Sequence, residues 1–284
     1  MSLPAERRLP GEQSRGRRAL RLLAAGRQRL RLAPILFRDP GEFRARLGKD
    51  LEAVSDRLMR RTHRYEMTDW DSLIGEIGEL YADTPTVLCE PALESIASEV
   101  GAAIAMTSSG AASNLNYNAD FGLARLAYLV TRLLRPTLVI ETGVANGVTS
   151  AFILQALAEN GHGSLHSIDL PPLGRGVDHQ VGTLIPDRLR GRWQLHVGSS
   201  RTELPKVVDG KTVDVFLHDS AHTYRTMRWE FATVWPYLRS GGVLLSDDVQ
   251  NNKAFDQMRT QGVRFWRVVR QLDKPFLFGI AIKL

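Results

Sequence analysis

Four residues in the second half of the chain are of types that bind cations and move protons: Asp219, His222, Asp247 and Asp248. Asp219 and His222 are three apart, about one helical turn, and Asp247 and Asp248 are adjacent. Each pair follows an apolar run, Val213 to His218 and Val243 to Leu245, that reads as a buried strand. In an open parallel sheet both pairs would reach the carboxyl edge, where ligands bind. Three carboxylates gathered there repel one another unless a cation neutralises them. Oxygen donors in that number suit Mg²⁺, with Mn²⁺ or Ca²⁺ as alternatives, whereas zinc would call for two or three histidines. A bound ion could hold two oxygens of a hydroxylated molecule and acidify the one that attacks. An imidazole titrates near pH ~6.5, so His222 is the candidate general base. Plainer duties compete: Asp219 could cap a helix starting at Thr223, Asp247 or Asp248 could cap the next segment, and His222 could face outward. His218 is expected at the sheet edge or on a ribose, outside catalysis.

A second constellation runs from Thr137 to Asp169. Leu138-Val139-Ile140 reads as a central strand ending in Glu141, and Gly143 and Gly147 bracket a turn. From Val148 the pattern turns helical, and a further strand from Leu165 to Ile168 ends in Asp169. This is a βαβ nucleotide-binding unit. Its glycines let backbone approach a ligand, and its second acid can accept hydrogen bonds from ribose hydroxyls. The turn reads acid-x-Gly-x-x-x-Gly, not the G-x-G-x-x-G of dinucleotide sites. An acid at the strand tip would repel a pyrophosphate, yet it suits an ammonium group.

These residues resemble motif I of the class I S-adenosylmethionine (SAM) methyltransferases. The segment VDVFLHDSAHTYRTMRWEFATVWPYLRSGGVLLSDDV is similar to the metal-dependent O-methyltransferases of the macrolide-sugar and cephalosporin-hydroxylase-like group. There an Asp-x-x-His follows strand four and an acid pair follows strand five. Asp219 with His222, and Asp247 with Asp248, match these, although Asp248 replaces the Asn of catechol-type enzymes. The resemblance spans about Phe121 to Leu284 and implies a mostly parallel seven-stranded α/β sheet of Rossmann-like methyltransferase type. It further implies that Glu141 and the Gly143–Gly147 turn hold the methionine end of SAM, Asp169 the ribose and Ser199 the adenine. Asp219, Asp247 and Asp248 would hold Mg²⁺, and His222 would deprotonate a small hydroxylated acceptor, such as a sugar or natural-product glycoside. Ser199 could equally cap a helix starting near Thr202. By the same resemblance, the loop from Thr107 to Ala119 is a lid, with Tyr117 and Asn118 as further ligand candidates.

The elements that must position these groups fall into three stretches: a basic arm (1–40), a helical extension and lid loop (41–119), and the SAM-binding domain (120–284). Helices are expected over Glu42–Tyr65, Trp70–Tyr81, Glu90–Ala105, Asp120–Leu134, Asp178–Leu189 and Tyr224–Leu238, with a terminal hairpin at Val263–Val269 and Phe276–Ile282. A chain of 284 residues with 43% hydrophobic content can bury a sizeable core. Residues 1–50 carry thirteen Lys and Arg against five Asp and Glu, a net +8, while the whole chain is +6. The excess positive charge therefore belongs to the arm, whose leucines and arginines from Arg17 to Leu32 suggest a basic amphipathic helix. Such an arm suits nucleic acid, an anionic membrane or a neighbouring subunit. The single cysteine, Cys89, fits a reducing cytoplasm. No apolar run spans a membrane and no secretory-type segment opens the chain. Rival readings are a metal-independent methyltransferase, an RNA-binding or RNA-modifying protein, and a nicotinamide-dependent oxidoreductase, the last lacking its glycine fingerprint.

Overall fold

In a computed structural model, the structure describes residue 35 and residues 40–58, 63–108, 121–170, 181–272 and 274–284. The basic arm through Leu32, Tyr117 and Asn118, the start of the helix at Asp120, and the loop at 171–180 lie outside the described residues.

The helical extension comprises α1 (Pro40–Leu58), α2 (Trp70–Leu80), α3 (Thr84–Leu88) and α4 (Pro91–Ser108). The domain continues through α5 (Phe121–Leu134), β1 (Leu138–Thr142), α6 (Val148–Asn160), β2 (Ser164–Asp169), β3 (Trp193–Val197) and α7 (Ser200–Val208). It ends with β4 (Val213–His218), α8 (Tyr224–Val234), β5 (Leu238–Ser246), β6 (Val263–Arg270) and β7 (Leu277–Lys283). Seven strands form one sheet in the order β3-β2-β1-β4-β5-β7-β6. The pairs among β1 to β5 are parallel, and β7 runs antiparallel to both β5 and β6. This is the mostly parallel, Rossmann-like methyltransferase sheet that the motifs imply.

Helices cover both faces, so the central strands have no wet side. All five residues of β1 are buried, which accounts for an uninterrupted apolar run. On one face Val139, Leu165, Val215 and Leu245 pack with Phe152 and Leu126 from α6 and α5. On the other, Ile140, Ile168, Phe216 and Leu244 pack with Leu204, Met227 and Phe231 from α7 and α8. The extension joins the first layer through Leu73, Ile77, Leu93 and Ile96. It is fastened there by Glu90, which accepts hydrogen bonds from Arg132 and from the Tyr128 hydroxyl.

Several expected elements differ. In place of the helix over Asp178–Leu189, the described part is a turn through Pro186 and then a 3₁₀ helix, Asp187–Arg192. Gly182 has a positive φ of 69°, and its N–H donates to the Ala145 carbonyl, a tertiary contact that an α-helix could not make. α1 stops at Leu58 and not at Tyr65, α4 runs on to Ser108, and α8 ends at Val234, two residues before Pro236. β5 starts at Leu238, five residues earlier than expected, because Gly241 at φ 71° carries the strand through an irregular start.

Candidate active site

Thr142, His218 and Ser246 sit side by side at the carboxyl ends of β1, β4 and β5. The loops leaving these strands carry the expected residues. One ligand atom each from Asp219, His222 and Asp247 lies within 4.8 Å of the others. His222 Nε2 is 3.4 Å from Asp219 Oδ1, and its Nδ1 is 3.2 Å from Asp248 Oδ2. Asp248 is thus placed differently from the third metal ligand anticipated: it grips the opposite nitrogen of the ring. The reason is backbone conformation. Asp248 is left-handed, with φ 49°, which sends two consecutive carboxylates to different sides of one imidazole. Strained backbone of this kind persists where surrounding structure holds it.

The cluster's charge is balanced within itself. Burial disfavours a proton on His222, but the Asp219, Asp248 and Asp247 carboxylates around it outweigh that and raise its pKa to about 10. Burial and the Asp219 charge together push Asp247 well above the usual carboxylate range. Burial opposes ionisation of Asp248, yet His222 holds its pKa below the usual value. A base titrating near neutrality is therefore not what this arrangement presents: here His222 is an imidazolium at pH 7.

The donor set fits a divalent cation. Two carboxylates and an imidazole converge, and His222 Nε2 is a buried nitrogen without a hydrogen-bond partner. The carboxylate at Nδ1 orients the ring as the outer carboxylate does in carboxylate–histidine–metal triads.

Gln271, just beyond β6, escaped the sequence reading. Its Nε2 donates to Asp247 Oδ1, while its buried Oε1 has no partner. The amide both holds the carboxylate and offers an acceptor oxygen into the cluster. A Gln271→Leu variant should keep the fold and raise KM for the acceptor several-fold more than KM for the methyl donor, as steady-state kinetics would show. Glu230 was also missed, although a charged residue in register with Met227, Phe231 and Val234 on α8 is a signal. Fully buried, it accepts from Thr142 Oγ1 and Ser220 Oγ and pairs with His218 Nδ1 at 2.6 Å. This network pins the tips of β1 and β4 beneath the cluster and encloses His218 against Glu230.

The cofactor candidates divide. Asp169 Oδ2 accepts from the N–H groups of Val144 and Ala145 at 2.9 and 2.8 Å, bracing the glycine turn. Among the described residues its Oδ1 takes no hydrogen bond, so it is available to a hydroxyl. Gly143 and Gly147 both have positive φ, and Gly143 abuts the Asp219 backbone. The Ser199 side chain meets Thr202 Oγ1, and Ser199 occupies the N-cap position of α7 without a side-chain cap bond. Glu141 lies inside the sheet, 1% exposed, where Ser150 and Ser167 donate to its carboxyl. Burial dominates over those two donors and raises its pKa to about 8. A neutral, enclosed carboxyl packs β1 against α6; it does not present an anion to an ammonium group.

This position has a pH consequence. Because Glu141 is raised in the folded state, its native form holds a proton that the unfolded chain releases near the ordinary carboxylate pKa. Stability should therefore be greatest at acidic pH and fall as pH rises from about 4.5 to about 8. Thermal melts of Glu141→Gln against pH should show that slope flattened.

The extension reaches the same loops. Glu52 on α1 accepts from Thr223 Oγ1 and Thr226 Oγ1, and Asp56 accepts from the Tyr224 N–H at the start of α8. Farther on, Tyr65 donates to the Asn252 carbonyl, and Asn252 Nδ2 donates to the His222 carbonyl. Asp56→Ala removes a helix-terminal acceptor and should cost about 1 kcal/mol in denaturant melts. A separate cavity of about 310 Å³ lies at the first half of β6, lined by Arg259, Arg264, Phe265, Trp266 and Arg267. It is at the opposite end of that strand from Gln271.

Residues 140–249 match the family model described as a methyltransferase domain. That segment contains the glycine turn, Asp169 and the whole carboxylate–imidazole cluster. Solved structures extend the likeness to the fold of the larger domain. One is an O-methyltransferase from Bacillus cereus in complex with SAH, at TM-score 0.51 and 13% identity over 74% of this chain and 100% of that one. Another is TomG from Streptomyces achromogenes, an O-methyltransferase of tomaymycin synthesis in complex with SAM, at TM-score 0.50 and 17% identity over 75% and 96%. A third is a cofactor-bound protein from MTB, Rv0187, at TM-score 0.52 and 14% identity over 78% and 98%. No curated protein matches the chain by sequence. The likeness is one of fold, a seven-stranded, mostly parallel Rossmann-like sheet of the kind these methyltransferases have. No helix among the described residues is long and apolar enough to cross a membrane.

Proposed function

We propose that the protein transfers the methyl group of SAM to a hydroxyl oxygen of a small acceptor, such as a sugar or natural-product glycoside, with assistance from a divalent cation. The observation that carries this reading is His222, gripped at Nδ1 by Asp248, with Nε2 buried 3.4 Å from Asp219 Oδ1 in a cluster that Asp247 completes. SAM would lie over the Gly143–Gly147 turn, with Asp169 Oδ1 accepting from its ribose.

Asp219 and Asp247 would hold the cation beside His222. When bound, it would supply the positive charge now carried by the His222 imidazolium and would acidify the acceptor hydroxyl. Asp248 fixes the orientation of the imidazole, and Gln271 fixes the Asp247 carboxylate. The acceptor oxygen forms the new bond to the methyl carbon as the carbon–sulfonium bond breaks, and the hydroxyl proton passes to the His222 imidazole, which would be neutral once the cation's charge replaces its proton. S-adenosylhomocysteine is the co-product. Because the sulfonium is already activated, in-line positioning contributes much of the acceleration.

One observation favours a metal-independent variant of the same reaction: the raised pKa of His222 already sets a positive charge among the carboxylates. Calorimetric titration with SAM, S-adenosylhomocysteine and NADH, each with Mg²⁺ and with EDTA, tests the reading. Micromolar SAM binding without NADH binding supports methyl transfer, and a Mg²⁺ signal lost in Asp247→Ala supports the cation site. Turnover undiminished by EDTA selects the metal-independent variant. A protein that binds no SAM would end the proposal.

A further inference from the structure

α1 is mounted with its polarity reversed. Its inward side is polar: Glu52 and Asp56 bond to the start of α8, and Glu52 also pairs with Arg201. Its outward side is apolar. Leu47, Leu51, Val54 and Leu58 are 38%, 61%, 46% and 79% exposed. A surface helix ordinarily turns its apolar stripe to the core, whereas this one has its stripe largely uncovered among the described residues.

We infer that the outer stripe of α1 is the seam on which a second copy of this chain docks through its own α1. The spacing supports it. Residues 47, 51, 54 and 58 step by four, three and four, the alternation with which two helices sheathe each other's apolar side chains. Charge supports it as well. Within Pro40–Leu58, Glu42, Asp50, Glu52 and Asp56 are matched by Arg44, Arg46, Lys49 and Arg57. A neutral helix pairs with its twin without repulsion, and it offers no field to attract a polyanion or the arginine-rich stretch at 17–32, which has six arginines and no acid. Gly48 adds a third mark. It sits mid-helix beside Leu47 with open space where a Cβ would be, and such a glycine costs about 1 kcal/mol relative to alanine. A partner helix at close approach gives that position a use.

Four apolar side chains per helix bury less than the ~1,200 Å² of a standard interface, so association in the range of roughly 1–100 µM is expected. Light scattering behind size exclusion, on the full chain across that range, should show a monomer–dimer equilibrium. Leu51→Glu/Val54→Glu should remain monomeric at the highest concentration, with unchanged helical circular dichroism. A Leu51→Cys/Val54→Cys variant, with exposed Cys89 replaced by serine, should form covalent dimers on mild oxidation for either helix direction. A wild-type chain that stays monomeric throughout, a charged variant that still dimerises, or a cysteine variant that yields only monomer would overturn the inference. A monomer with the stripe covered by residues 17–32 is one form of the first result.

Discussion

Replacing His222 by alanine is expected to slow methyl transfer by about 10²–10⁴-fold, the range associated with losing a positioned acid–base group. SAM affinity should hardly move, because the cofactor turn and Asp169 lie on the β1 and β2 side of the crevice. The Asp248→Asn variant separates two ways in which His222 could matter. Asparagine keeps the shape beside Nδ1 but removes the charge that raises the imidazole pKa. If the ring acts as a base, the acidic limb of the kcat profile should shift to lower pH in that variant. If the ring is only a packing element, the profile should keep its shape. Asp56→Ala is the comparison variant. It loosens the start of α8 without touching the cluster, so it should reduce stability and leave the shape of the pH profile intact.

Gly143→Ala should be the most damaging small substitution in the domain, costing about 4 kcal/mol or more of stability. A Cβ at this position would stand 2.0 Å from the Asp219 carbonyl oxygen and 2.4 Å from its carbon. Neither atom can yield, since the neighbouring Asp219 N–H is bonded to the Thr142 carbonyl at 2.7 Å. The positive φ of 83° adds backbone strain for any residue with a side chain. A graded series gives the test its control. Gly147→Ala would press on Ile185 at 2.8 Å and on the Gly182 backbone at 2.9 Å, and Ile185 can rotate part-way clear. Gly161→Ala has the left-handed strain but nothing within 4 Å, so it should cost about 1 kcal/mol. Denaturant midpoints should fall in that order, with Gly143→Ala lowest. Equal midpoints for Gly143→Ala and Gly161→Ala would refute the close approach of the two loops.

Much of this architecture was legible in the residue pattern. β4 was read at its observed bounds because Val213–His218 is a short, largely apolar run closed by a polar turn. The βαβ unit was read because Gly143, Gly147 and Asp169 have duties that few other residue types perform. The carboxylate cluster followed from topology, since strands β4 and β5 had to end at one edge. What stayed hidden depended on contacts distant in sequence. The segment around Gly182 has helical periodicity, yet its amide is claimed by Ala145. The opposed directions of Asp247 and Asp248 come from one left-handed residue, and nothing in an adjacent acid pair announces it. Gln271 reads as a strand-end residue until the hairpin folds it over Asp247. The neutral state of Glu141 is a property of its enclosure, whereas its type alone suggests an anion.

The contact between Gly143 and Asp219 also bears on how this scaffold could be redesigned. The turn proposed to seat the donor and the loop bearing the acid–base residues meet backbone to backbone and are tied again through Glu230, so they behave as one rigid jaw. The opposite jaw is assembled from other material: Leu272 and Phe276 of the terminal hairpin, both partly exposed beside Gln271, and the segment around His63 and Tyr65. Efforts to change which acceptor is methylated should therefore randomise the second jaw and leave the first untouched. Libraries built on Gly143–Gly147 or Asp219–His222 would spend most members on misfolded chains, while those on 272, 276 and 63–67 would sample new pockets around an unaltered reaction geometry.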